Sequence, residues 1–487
     1  MKLNFATYKD KVHACWIGKN IGGTMGTPYE GKRELLDVQG FSTEKGVVLA
    51  NDDLDLQLVW LNAIERCGVK NVNAQVLGEH WLAYVNPHWN EYGLGKNNMK
   101  MGIMPPLSGD AFNDWRDSNG AWIRTEIWAC LAPGAPDIAM AYAYEDACVD
   151  HGAGGEGTIA TMFVAAMESA AFFEKDIQKL IQIGLSKIPE ESRMAKSIQA
   201  VLSYYKEGMD YKTARNKIQA LNADIGNGWF EAPSNVTYAV IGLLWGEGDF
   251  KKSMIYALNC GDDTDCTGGM VGALLGIIGG TAAIPEDWKE HIGDAIVTMS
   301  INRGVIWNVP ITCSELTERV VKAAPVVLQE NHAIVCLTDG ETVIPADYYE
   351  QTLAQNRKAR ELCARPAYSF TVDFIHTSAT VILPGDPKIA PMQTMKFKVR
   401  FNSNNEKLNG CGDARFLKLR WWLPEGFEIK GERCIWLSHF TTHIAGVAES
   451  EFELVVPEKI ESVNRIVLEV VAEGKLSAGY IPIVLMG

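Results

Sequence analysis

The sequence predicts a multi-domain protein, an all-α region followed by a small all-β sandwich, and three observations carry that prediction. The chain of 487 residues is longer than one hydrophobic core usually supports, so more than one domain is expected. Over its first two-thirds, apolar residues return at the spacing of one face of a helix. Near residue 365 the pattern changes to short alternating or β-branched runs separated by turn residues, as in stacked antiparallel sheets. The helical region is placed at residues 1–350, a helix or linker at 351–366 and the sandwich at 367–487.

The segment from His13 to Gly31 reads HACWIGKNIGGTMGTPYEG, a helix running into a loop. Each glycine inside a helix costs about 1 kcal/mol against alanine. Gly18, Gly22, Gly23 and Gly26 therefore point to close approach by another backbone or a ligand. Helical spacing marks residues 57–64, 138–149, 158–173 and 236–245, with Pro133-Gly134-Ala135-Pro136 breaking the chain before the second. The most apolar stretch, 268–283, is too short and glycine-rich for a membrane span. Its Gly268, Gly272 and Gly276, one every fourth residue, predict tight packing on another helix. Glycine-rich loops at 152–157 and 226–228 precede helices, and helix N-termini that converge build an anion or ligand site. Residues 99–106 read as an extended loop. In the sandwich, strands are expected at 368–375, 394–401, 415–422, 452–456 and 465–471, with turns at 384–387, Asn409-Gly410 and 424–426.

Composition narrows the function. With 47% hydrophobic and 22% charged residues the chain is an ordinary globular protein. A formal charge of -15 argues against a nucleic-acid surface, which needs a basic stripe. It leaves room for an anionic small ligand held by a metal or by helix N-termini. Eleven cysteines without Cys-x-x-Cys spacing argue against a disulfide framework or a zinc module, and the N-terminus has no apolar run of a signal peptide. The expectation is a soluble cytoplasmic protein without a membrane partner, its oligomeric state left open.

Two acidic clusters stand before helical segments, Asn51-Asp52-Asp53-Leu54-Asp55 and Asp262-Asp263-Thr264-Asp265-Cys266. Carboxylates packed this closely want solvent, a cation or donors. Brought together they suit a hard divalent ion, Mg2+ or Mn2+. For the first cluster, a helix cap followed by first-turn acids explains the residues equally well. The second repels itself unless a cation intervenes. Glu30, in the loop after the first glycine-rich segment, reads alone as a surface carboxylate. His151 and Gly152 open a glycine-rich loop that reads as a ligand contact or a helix start. Asn119 and Gly120, before Trp122 and Arg124, read the same way. Trp115 and Trp122 are candidates to stack on a base or sugar, and Lys96, Lys100, Arg116 and Arg124 are the nearest candidates to meet a diphosphate.

The ordered set of Gly26-Thr27-Pro28-Tyr29-Glu30-Gly31, the Asp52-Asp53 helix start, Asn119-Gly120, the His151-Gly152 loop and Gly261-Asp262-Asp263-Thr264-Asp265 resembles the ADP-ribosylglycohydrolase superfamily over about residues 5–310. The resemblance implies an all-α, orthogonally packed catalytic domain holding two divalent cations, usually Mg2+, with Mn2+ as an alternative. It implies Asn51, Asp52, Asp53, Asp263, Asp265 and Cys266 as metal ligands, with Glu30, Asp52 and Asp53 in the catalytic role. Asn119, Gly120, His151 and Gly152 would meet the substrate. Asn51 and Cys266 depart from the family's threonine and threonine or serine: an amide oxygen suits a hard ion, and a thiol suits a softer one. The implied activity is metal-dependent hydrolysis of a glycosidic bond in an ADP-ribosylated substrate or related ribosyl compound. A glycoside or nucleoside hydrolase acting on another small molecule, and an inactive sugar- or nucleotide-binding protein, are the alternatives.

Overall fold

The computed structural model describes residues 1–374, 377–403, 415–438 and 446–487. The expected Asn409-Gly410 turn, and the end of the first expected strand at Ile375, lie outside them. Helices fill the chain from Phe5 to Cys363, and the strands from Ser369 onward form two antiparallel sheets. The four helical segments anticipated from periodicity correspond to Asp52–Cys67, Pro136–Ala147, Glu156–Ala170 and Ala232–Trp245, the second and third helices ending at Ala147 and Ala170, short of the expected 149 and 173. Residues 99–106 differ in part. Met99 to Met101 complete the helix Asn90–Met101, which Gly102 ends in a left-handed conformation at φ 95°. The expected helix or linker near 351–366 is two short helices, Tyr348–Ala354 and Arg357–Cys363.

The centre of the helical region is the pair Phe5–Gly26 and Thr264–Gly279, which pack backbone to backbone. A Cβ on Gly18 would stand 2.0 Å from the Gly272 carbonyl oxygen, and one on Gly22 would stand 2.1 Å from the Gly268 carbonyl. Any side chain at these four positions would force the helices apart, so the glycines set the distance between the two segments that end at Glu30 and begin at Asp263. Trp16, Trp60, Trp81, Trp122 and Trp128 are among the large side chains fully buried around this axis. Among the described residues, no helix is long and apolar enough to cross a membrane.

In the β region a four-stranded sheet runs Ala478–Met486, Val463–Ala472, Arg415–Trp422, Cys434–Leu437. A five-stranded sheet runs Ser369–Asp373, Thr377–Ile382, Thr394–Ser403, Val447–Val455, Glu428–Lys430. Alternate residues of both, such as Phe397, Phe452, Leu417 and Leu468, meet in one apolar core. Ile103, Leu107 and Ala111 of the helical region join that same core. The sandwich is fixed to this segment by polar bonds as well: Arg465 Nη2 donates to Met101 O at 3.2 Å, and the Phe112 amide donates to Asp386 Oδ1 at 2.8 Å.

Candidate metal centre

Local chemistry explains how the two acidic clusters are set. Asn51 is the N-cap of Asp52–Cys67, its Oδ1 accepting from the Asp53 amide at 2.8 Å. Its Nδ2 donates to Asp265 Oδ2 at 3.3 Å, reaching across to the second cluster. The cap reading and the cluster reading are therefore compatible. On the other side Gly261 and Asp262 take consecutive positive φ angles, 72° and 68°, and turn the chain sharply into the helix that begins at Thr264. The Asp262 amide donates to Lys32 O at 2.7 Å and its carbonyl accepts from Gly31 N at 2.8 Å, a bridge that brings Glu30 to Asp263. Thr264 Oγ1 donates to Gly26 O at 2.8 Å. Asn235 accepts from the Asp263 amide at 3.1 Å.

The result is a crowd of acids at one point. Asp53, Asp265 and Cys266 bring one ligand atom each within 4.8 Å of one another, and so do Glu30, Asp263 and Asp265. Asp265 belongs to both sets. Asp52 lines the same cleft and accepts from the Tyr92 hydroxyl at 2.9 Å. Asp262 and Asp55 turn away. Asp262 accepts from Asn235 and from the Phe230 amide, and Asp55 Oδ2 accepts from the amides of Met299 and Ser300, both at 2.6 Å.

Electrostatics mark the centre as cation-seeking. Burial, with the charges of Glu30 and Asp52 added, pushes Asp265 up to about 7. Burial and the charges of Asp265 and Glu30 hold Asp263 well above the usual carboxylate range. Glu30 is exposed at the rim, yet desolvation of its carboxyl and the charges of Asp52 and Asp53 push it up to about 7. Burial, then Asp263 and Asp53, raise the Cys266 thiol. Lys19 Nζ, 2% exposed, supplies positive charge from below: it pairs with Asp53 at 3.0 Å and Glu126 at 2.8 Å and donates to Ile123 O at 2.6 Å. The remaining oxygens stay open. Asp263 Oδ1 and Asp265 Oδ1 are buried without a hydrogen-bond partner. Buried polar atoms are normally satisfied, so these two, with the two ligand sets, fit divalent cations, and the acidic residues can hold a metal.

Above the acids is a small cleft of about 80 Å³, room for a few waters or ions below its open mouth. Asn119 and Gly120 line it. Asn119 Nδ2 donates to Asp263 Oδ2 at 2.6 Å, and Asn119 Oδ1 accepts from Trp122 Nε1 at 2.9 Å. Trp122 is fully buried, so its part is to aim Asn119, in place of the stacking expected of it. Gly120 faces Glu91, whose Oε1 would stand 2.2 Å from an added Cβ.

His151 and Gly152 sit behind the cleft wall. His151 is fully buried, its Nδ1 2.9 Å from Asp150 Oδ1 and its Nε2 3.3 Å from Ser118 Oγ. Gly152, at φ 69°, packs on Asp110, whose Oδ1 would stand 2.3 Å from a Cβ there. Arg124 is likewise withdrawn from any diphosphate: fully buried, it pairs with Asp146 at 2.8 Å and Asp150 at 2.7 Å. Lys96 is buried too and donates to Val85 O. Sequence patterning gave no sign of Lys19, Tyr92, Asn235 or Glu91, because each reaches the centre through a partner distant in sequence. Trp89 and Phe230, which also line the cleft, could have been suspected only as two more aromatic residues among many.

Of three comparisons with known proteins, one assigns the chain to a family. No curated protein matches it. Among solved structures it is similar to one described as an ADP-ribosylglycohydrolase-related protein complex, at 19% identity over 66% of this chain and 99% of that one, with a TM-score of 0.41. A family model described as ADP-ribosylglycohydrolase matches residues 4–324, a span that holds both acidic clusters, Glu30 and the cleft, and the chain belongs to the ADP-ribosylglycohydrolase family.

Proposed function

We propose that the protein is a divalent-metal-dependent hydrolase of a glycosidic bond, with linkages of the ADP-ribosyl or related ribosyl type as the class its family implies. The observation that carries this reading is the pair of ligand sets sharing Asp265, with Asp263 Oδ1 and Asp265 Oδ1 buried and unpartnered. Glu30, Asp263 and Asp265 offer oxygen alone and suit Mg2+. Asp53, Asp265 and Cys266 include sulfur and tolerate Mn2+ more readily. Asn51 supports both by capping Asp53 and donating to Asp265. When bound, the ions supply Lewis acidity toward vicinal sugar hydroxyls and water.

The chain's own groups account for the rest of the reaction. Glu30, exposed at the rim with its carboxyl raised to about 7, is suited to take the proton of the attacking water. Asp52, oriented by Tyr92, supplies negative charge to an oxocarbenium-like state. The water oxygen bonds to the anomeric carbon as the bond to the leaving group breaks. The electron pair departs with that group, which takes up a proton. In this reading the catalytic domain is residues 1–350, and its substrate is a small glycoside or an ADP-ribosylated molecule. Ten free cysteines among the described residues agree with a reducing, cytoplasmic setting.

Asp265→Ala removes the shared ligand. Calorimetric titration with Mn2+ should show no binding, turnover should fall by about 1,000-fold or more, and circular dichroism should be unchanged. A folded Asp265→Ala protein with full activity would end the proposal.

A further inference from the structure

Resting on that hydrolase reading, we infer that the cleft takes a neutral glycoside, a sugar with free vicinal hydroxyls on an uncharged, ring-bearing partner, and not a nucleoside diphosphate. The first reason is charge. Among the described residues the cleft is lined by five carboxyl groups, Glu30, Asp52, Glu91, Asp263 and Asp265, and by no Lys or Arg. With Glu30, Asp263 and Asp265 engaged by the metals, a diphosphate entering there still meets the carboxyls of Asp52 and Glu91 and finds no basic side chain in the lining to pair with.

The second reason is that the buried cations Arg124 and Lys19, and backbone amides of the loop behind the cleft, already have anionic or carbonyl partners within the chain, while half-buried Arg116 donates to the Tyr368 hydroxyl at 3.5 Å. Arg124 is closed between Asp146 and Asp150, and Lys19 between Asp53 and Glu126. The glycine-rich loop before Glu156–Ala170, whose amides would otherwise cradle a phosphate, is filled from inside. Asp110 Oδ2, on a residue 1% exposed, accepts from the Ala153 amide at 3.3 Å and from the Tyr368 amide at 3.1 Å. Asp117 Oδ1 accepts from the Glu156 amide at 2.7 Å, and Arg116 O accepts from Gly157 N at 3.3 Å. Internal carboxylates hold the positions that ligand phosphates would need. Tyr368 leads into the sandwich, so the β region helps to close this anion site.

The third reason is what the cleft does offer. Trp89, 47% exposed, lines it, and so does Phe230, stacked on Trp229 with ring centroids 4.6 Å apart. Trp115 meets Trp229 edge-on at 6.1 Å. Flat apolar rings beside Ser118, Asn119, Asn90 and carboxyl acceptors are the surface a polyhydroxylated ring recognises: its C–H face on the aromatics, its hydroxyls on the polar groups.

The test uses the full chain loaded with Mn2+. It compares a panel of neutral 4-nitrophenyl furanosides and pyranosides with ADP-ribosyl-arginine, and ribose with ribose 5-phosphate as ligands. The expected result is cleavage of at least one neutral glycoside with kcat/KM at least 100-fold above the ADP-ribosyl compound. Ribose 5-phosphate should bind at least tenfold more weakly than ribose, with the gap closing as salt rises. Cleavage of ADP-ribosyl-arginine at an equal or greater rate, abolished by Asp265→Ala, would overturn the neutral substrate and leave the hydrolase reading standing. A panel left wholly uncleaved, while ADP-ribose raises Tm and ribose does not, would overturn it as well. A protein that binds no Mn2+ and cleaves neither class defeats both readings.

Discussion

Two groups of buried charge lie within the same helical region and are resolved in opposite ways. Around Arg124 every charge is answered. The guanidinium pairs with Asp146 and Asp150, Trp128 Nε1 donates to Asp146 Oδ2 at 2.9 Å, and His151 stands 2.9 Å from Asp150. Burial still pushes Asp146 up to about 6 against the pull of Arg124, whereas for Asp150 Arg124 and His151 overrule burial and hold it at about 2. Around Asp265 the same degree of burial encloses a surplus of acid, with carboxyls pushed upward and oxygens left open. Burial therefore does not separate scaffold from site here. Balance does: the saturated network holds helices in place, and the unbalanced one is built to receive a cation.

The hardest test of that contrast falls on the saturated network. Arg124→Met leaves Asp146 and Asp150 buried without their partner, and a loss of ~3–5 kcal/mol in chemical denaturation is expected. A loss below about 1 kcal/mol would mean that the paired group is not structural, and the comparison would fail. The unbalanced group should behave in the reverse sense. Mn2+ at about a hundred times its Kd should stabilise the wild-type protein by ~2.7 kcal/mol, measured from the shift in Tm, and should leave Asp265→Ala unmoved. Equal stabilisation of both proteins would place the ion elsewhere.

The contrast also explains what the sequence made legible. Gly268, Gly272 and Gly276 announced a helix-to-helix contact because a four-residue repeat is a local pattern, and Gly18 and Gly22 are its other half. The aspartates announced themselves because like charges adjacent in sequence need an explanation wherever they fold. Lys19 did not, although it is the buried cation below Asp53. Its partners Asp53 and Glu126 are remote in sequence, and only the fold pairs them. Arg124 was read as a candidate to meet a diphosphate for the same reason. Asp110 gave no sign that it would occupy the glycine-rich loop.

Of the four sandwich strands not anticipated, Thr377–Ile382 among them, the other three have local causes. Ala478–Met486 carries Gly479 and Pro482, which argue against a strand, and it is tolerated because it lies at the edge of its sheet. Glu428–Lys430 and Cys434–Leu437 are too short to show a period. The parallel pair Lys2–Asn4 and Cys336–Thr338 joins residues from opposite ends of the helical region.

Glu231 lies between the two cases and sharpens the comparison at its smallest scale. It is 4% exposed, next to cleft-lining Phe230, and its Oε1 accepts from the amides of Asn227 at 2.7 Å and Gly228 at 3.1 Å. It has donors but, among the described residues, no cation within a salt bridge. Burial pushes it from 4.5 to about 7, Asp117 and Asp262 add to the rise, and the two amides oppose it. A carboxyl with a raised folded pKa binds its proton more tightly when folded, so stability should fall as pH climbs from about 4.5 to about 7 and level off above. Glu231→Gln keeps an acceptor for both amides and cannot ionise. The variant should lack that slope and exceed the wild type by ~2 kcal/mol at pH 8, with the gap narrowing toward pH 5, as read from urea denaturation at the two pH values. Parallel pH profiles for the two proteins would show that two amide donors balance a buried charge as fully as Arg124 does. The dividing line between scaffold and site would then be hydrogen-bond saturation, with net charge secondary.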